Sequence, residues 1–191
     1  SGGIAADPVI ITLDNVKIQN GGCAFELMNT ASVVLNLQVD TDSVITSGGS
    51  YPGILCESGA TLVINGPGSL TATGSTYGAG IGSRSLYQAG SVIINGGTIT
   101  ATGGSYGGAG IGGGYHGGDG GQVTIHGGTV TAKSGIVTEE SYGEPGAGIG
   151  GGGYQGDGGQ VTITGGTVTA IGGSIFYDRE GTYLDVYQGG A

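Results

Sequence analysis

Three segments of the chain read alike: Gly78-Ala79-Gly80-Ile81-Gly82, Gly108-Ala109-Gly110-Ile111-Gly112 and Gly146-Ala147-Gly148-Ile149-Gly150. Each leads, through a glycine-rich stretch, into a short apolar run: Val92-Ile93-Ile94, Val123-Thr124-Ile125 and Val161-Thr162-Ile163. A Gly-Gly corner follows, and then Thr98-Ile99-Thr100-Ala101, Thr129-Val130-Thr131-Ala132 and Thr167-Val168-Thr169-Ala170. Self-similarity of this kind marks a stacked-repeat architecture and excludes most other folds. Residues 51–73 hold a more degenerate copy, with Gly53-Ile54, Leu62-Val63-Ile64 and Ser69-Leu70-Thr71-Ala72. Phe25, Leu35 and Val44 mark a copy before that, and Ile10 to Ile18 a partial first one.

Strands this short cannot bury a face alone, and two-residue corners leave no room for a crossover helix. Winding the copies into a three-sided solenoid solves both problems, because each strand then pairs in parallel with its counterpart about 4.8 Å away. The expected fold is therefore all-β: a single-stranded, right-handed parallel β-helix of about five to six coils, its hand set by the general preference of parallel crossovers. It is expected over residues 1–173, degenerate over 9–49 and regular over 50–173. Residues 174–191 break the repeat and are expected to form a cap or hairpin, or to begin a further, truncated coil. Alternation places four columns inward: Phe25/Ile54/Ile81/Ile111/Ile149, Leu62/Val92/Val123/Val161, Ile64/Ile94/Ile125/Ile163 and Leu70/Ile99/Val130/Val168. Asn65 and Asn95 fall at the same corner, in position to hydrogen-bond to each other.

Composition agrees with this reading. The chain holds 49 glycines but no strict Gly-X-Y period, which excludes collagen. Hydrophobic residues make up 37% of it, in alternating runs that suit strands better than disorder. Fourteen acids against four bases give a net charge of −10, which argues against a nucleic-acid partner. No stretch is long and apolar enough to insert in a membrane as a helix. Scarce lysine with abundant Thr, Ser and Gly points to an extracellular setting, secreted or on a cell surface. Cys23 and Cys56 lie out of phase in the repeat and are expected to be free thiols. Nothing in the sequence fixes an oligomeric state.

The phrase GAGIGGG…VTIxGGTVTAxGG, carried by residues 50–173 and weakly by 10–49, resembles repeats of Gram-positive surface and secreted proteins described as carbohydrate-binding-domain proteins. These look like the parallel β-helix of polysaccharide lyases. The resemblance implies a cell-surface adhesin or glycan-binding context, often with bound calcium. It supplies no catalytic motif to carry over.

Tyrosine placement is the sharpest functional signal. Tyr51, Tyr77, Tyr106 and Tyr142 precede the Gly-Ile strands, and Tyr87, Tyr115 and Tyr154 follow them. Stacked in register, they predict two aromatic columns bordering a floor of glycines. Such a groove suits pyranose rings, whose C–H faces pack on aromatic planes. Tyr77, Tyr87, Tyr106, Tyr115, Tyr142 and Tyr154 are thus the candidate contacts for a polysaccharide or cell-surface glycan. A self-packed aromatic ladder in a passive spacer is the competing reading.

Asp119 and Asp157 recur in one string, Gly-Asp-Gly-Gly-Gln-Val, so stacking brings two carboxylates together. Calcium between them is one expectation; the plainer one is that each aspartate caps a turn. The loop from Lys133 to Ala147 is seven residues longer than its counterpart and carries Glu139, Glu140, Tyr142 and Glu144. An outward array, Ser69/Thr71, Thr98/Thr100, Thr129/Thr131 and Thr167/Thr169, has the flat geometry of an ice-binding surface, although Thr is also a good strand residue. Catalysis is disfavoured. Hydrolysis needs two carboxylates facing a cleft, and only Asp119, Asp157 and the loop glutamates offer them. A lyase needs a base, and only Arg84 is placed for it. No catalytic residue is assigned.

Overall fold

The computed structural model describes residues 7–138, 143–176 and 186–188. Every regular element among them is a strand. The coils wind through three parallel sheets in rotation, so that successive coil strands belong to different sheets and sheet neighbours are one coil apart, while Val137–Thr138, Ser174–Phe176 and Val186–Gln188 form a separate small sheet. The first face holds six strands, Val9–Leu13, Ser32–Leu37, Thr61–Asn65, Ser91–Ile94, Gln122–Ile125 and Gln160–Ile163. A second face of six comprises Lys17–Gln19, Asp42–Thr46, Ser69–Thr73, Thr98–Thr102, Thr129–Lys133 and Thr167–Ile171. Five shorter strands form the third: Phe25–Leu27, Ile54–Cys56, Ile81–Gly82, Ile111–Gly112 and Ile149–Gly150. This is the all-β parallel solenoid that the repeat dictates.

Register follows the repeat residue for residue. Ile81 pairs with Ile54 and Ile111, Val92 with Leu62 and Val123, and Ile99 with Leu70 and Val130. Like side chains therefore stack along the axis, and from Ile54 to Val130 these columns are almost completely buried. On the last rung the register persists but the burial does not. Val161 and Ile163 are 41% and 51% exposed, against 1% and 0% for Val123 and Ile125 one coil earlier. Among the described residues no strand pairs with Gln160–Ile163 on its far side.

The earliest coils depart from the expected pattern at one point. Val44 pairs with Thr71 and faces outward, while its neighbours Ser43 and Ile45 stack on Leu70 and Ala72 and face inward. Buried Ser43 is accommodated because its hydroxyl accepts the Val16 N–H at 3.2 Å. Near the other end, Ser174–Phe176 pairs in parallel with Val137–Thr138 and antiparallel with Val186–Gln188. Both cysteines are free, Cys56 buried and Cys23 partly so. Burial pushes the Cys56 thiol up to about 12.

Glycine is obligatory where coils approach most closely. Gly82, Gly112 and Gly150 hold φ of 142°, 132° and 138°, a region that L side chains rarely adopt. A Cβ on Gly112 would also collide with the Gly150 carbonyl of the next coil.

Candidate functional site

Strand length on the third face decides where the tyrosines go. Only two residues separate the loop before each Gly-Ile strand from the loop after it, so the two loop families meet across the face. The Tyr115 N–H donates to the Tyr77 carbonyl at 2.8 Å, and the Tyr106 N–H to the Thr76 carbonyl at 3.0 Å. The two expected columns accordingly merge into one patch. Tyr77 and Tyr106 meet edge-on at 4.6 Å between ring centroids, and Tyr115 stacks on Tyr77 at 5.8 Å. Tyr115 continues to Tyr154 at 6.2 Å, and His116 closes edge-on against Tyr154 at 4.6 Å. Tyr77, Tyr106 and Tyr115 are half-buried, while Tyr154 and His116 are exposed. Burial raises the Tyr115 phenol above its ordinary value, with Glu144 and the neighbouring tyrosines adding to the effect. Its hydroxyl thus keeps its proton, and remains a donor, at higher pH than a free tyrosine.

The loops that carry these rings are strained. Among the described residues eight non-glycine positions have positive φ; Asn15, Asn29 and Asp40 belong to types that tolerate it. The other five, Thr76, Leu86, His116, Tyr154 and Gln155, each are or adjoin a candidate tyrosine. Such conformations persist only where the surroundings enforce them, and they concentrate at functional sites.

Tyr87 stands apart from the patch. Its ring lies 4.6 Å from the Arg84 guanidinium carbon, with the Tyr51 ring on the same cation at 6.0 Å. Arg84 forms a forked pair with Glu57, Nε to Oε1 at 2.8 Å and Nη2 to Oε2 at 3.1 Å. That hydrogen-bonded carboxylate raises the guanidinium pKa further. A guanidinium held this way stays charged and paired with Glu57.

Asp119 and Asp157 do meet, through one backbone contact: Asp119 Oδ1 accepts the Asp157 N–H at 2.9 Å. The bond joins one coil to the next, so the Asp119 carboxylate ties the two loops together. Among the described residues no three His, Cys, Asp or Glu side chains are grouped to hold a metal ion. Calcium takes six to eight oxygen ligands, so an ion between these two carboxylates would draw the rest from backbone carbonyls and water. Tyr142, Glu139 and Glu140 lie outside the described residues.

Other positions escaped sequence reasoning or found unforeseen partners. His116 was not foreseen in the patch, although it directly follows Tyr115. His126 has its Nδ1 2.8 Å from Thr164 Oγ1 one coil on. The Asn65–Asn95 bond forms at 2.7 Å, and Asn36 extends the ladder to Asn65 at 3.3 Å. At the corner between the third and first faces, a groove of about 530 Å³ runs across four coils. Two of its three glutamines, Gln122 and Gln160, sit in the same Gly-Asp-Gly-Gly-Gln-Val string as Asp119 and Asp157.

The model of a β-helix repeat family matches residues 62–83, 92–115, 123–153 and 161–176. Each block begins on the first inward residue of a first-face strand, so the family's repeat and the structural coil coincide. No curated protein and no solved structure matches the chain. Repeat, register and family match agree on the fold: the chain is a parallel β-helix built from repeats.

Proposed function

We propose that this β-helix is an extracellular glycan-binding or adhesive module that holds its ligand on the tyrosine patch of the third face. The observation that carries this reading is the ring arrangement. A ladder that only covers a corner stacks identical residues at one spacing and one angle. Here the interplanar angles run from 20° to 88°, so the rings do not share one orientation. An array of half-exposed phenols and one imidazole offers apolar planes to sugar C–H faces and hydroxyls to sugar oxygens. The positive-φ residues beside these tyrosines support the same reading, since strain is retained where geometry matters to a partner.

A spacer role is the second reading, favoured by the contact of Tyr77 with both Tyr106 and Tyr115. A pull-down of the full chain on insoluble and immobilised polysaccharides separates the two. Retention on at least one glycan, abolished in the Tyr115→Ala/Tyr154→Ala variant, is the expected result. Failure to bind any member of a broad panel returns the tyrosines to a structural role.

A further inference from the structure

The tyrosine patch does not account for the groove at the corner between the third and first faces. Six polar side chains line it: Ser58, Thr61, Gln88, Ser91, Gln122 and Gln160, and none of its lining residues is charged. Thr61, Ser91, Gln122 and Gln160 are consecutive register partners on the first face. The groove therefore runs along the helix axis with a rung about every 4.8 Å. Its backbone is already bonded from coil to coil: Ser91 N–H to the Ala60 carbonyl at 3.0 Å, Gln122 to Gly90 at 3.0 Å, Gln160 to Gly121 at 2.8 Å. None of the six side chains hydrogen-bonds to another described residue.

The other end of the same strands gives the control. There Asn36, Asn65 and Asn95 bond to one another, and His126 lies 2.8 Å from Thr164. A neutral polar ladder can close on itself in this fold, and the groove ladder does not.

We propose that this groove is a second binding site, for an uncharged, unbranched polysaccharide lying along the axis; the proposal rests on the glycan-binding reading above. A periodic ligand meets a periodic row of rungs. Amides and hydroxyls both donate and accept, which matches sugar hydroxyls that do the same. The groove holds no cation for a uronate, sulfate or phosphate, and the chain carries a net charge of −10. An added peptide strand has no open edge here, because the backbone groups are paired between coils. An apolar small molecule would require a largely apolar lining.

Calorimetry on the full chain tests this, with soluble glucan, mannan, galactan and xylan, size-graded oligosaccharides of each, and polygalacturonate. Affinity should rise with oligosaccharide length, and polygalacturonate should not bind. Gln122→Ala/Gln160→Ala should weaken binding about tenfold, two modest hydrogen bonds' worth, with the melting temperature unchanged. If that variant binds as tightly as the unmodified chain while Tyr115→Ala/Tyr154→Ala does not bind, the groove proposal falls and the patch reading stands. If binding is lost only through the glutamines, the groove stands and the patch reading falls. Preference for polygalacturonate overturns the groove, and absence of binding to every probe overturns both.

Discussion

On the second face the regular strands run five residues and turn threonine outward, in the pairs Thr98/Thr100, Thr129/Thr131 and Thr167/Thr169. On the third they run two residues, and the positions saved go into loops that carry tyrosine, histidine and aspartate. Both faces have the same rise and the same parallel pairing. What differs is how much chain lies outside the ladder. A long strand with a two-residue corner can present only its alternate side chains, in a flat grid. A short strand releases residues into loops, where binding groups are held by a scaffold that the core makes rigid. In this fold, shortening a strand frees the residues from which the proposed site is built.

Substitutions can break that contrast. The largest effect is expected at Gly112→Ala on the third face, where the new Cβ meets the Gly150 carbonyl at a φ of 132°. We expect a loss on the order of 3–5 kcal/mol, read as a collapsed urea midpoint or an insoluble product. A tolerated Gly112→Ala would mean that the third face is loosely stacked and cannot position a site.

Next in size is the core beneath both faces. Ile125→Ala, at a fully buried position, should cost about 2–5 kcal/mol. Ile163→Ala, in the same column but half-exposed, should cost about 1 kcal/mol or less. Equal losses in denaturant titrations would show that the last rung is as covered as the one before it.

Much of this was legible in the sequence, and the illegible parts have a common cause. The repeat fixes the register, because like residues recur at like positions and the inward set is apolar throughout. Columns such as Ile64/Ile94/Ile125 could be written down before any coordinates. Failures came where a residue's neighbour is not its repeat partner. Tyr115 meets Tyr77, from a loop on the other side of the strand, and Tyr87 turns to Arg84 instead of joining the column. Val44 and Ile45 are both apolar, so sequence gives no phase there; Ser43 and Ile45 take the inward positions and Val44 faces out. Loop conformation, here set by positive φ at residues such as Leu86 and Tyr154, leaves no periodic trace.

Smaller effects sharpen the contrast from the second face. Thr129→Tyr with Thr131→Tyr should shift stability by no more than about 0.5 kcal/mol, since both side chains project from the sheet. Glycan binding should be unchanged in that variant. If the unmodified chain shows thermal hysteresis that these two changes abolish, the threonine grid is an ice-binding surface and the second face is a site too. The smallest effect expected is that of chelation. Because Asp119 already accepts the Asp157 N–H, excess EDTA should leave the melting temperature where it is. A clear fall in calorimetry, reversed by calcium, would instead place an ion between these loops.

The most direct test of the tyrosine patch uses a property of the composition. The chain has ten tyrosines and no tryptophan, so its intrinsic emission reports on tyrosine alone. Titrating the full chain with a glycan that it retains should give a saturable change in tyrosine fluorescence, with a midpoint equal to the calorimetric Kd. The change should vanish in Tyr115→Ala/Tyr154→Ala while the melting temperature stays within a few degrees of the unmodified chain. A glycan that binds by calorimetry, leaves tyrosine emission unaltered and binds that variant equally well would contradict the assignment of the third face as the site.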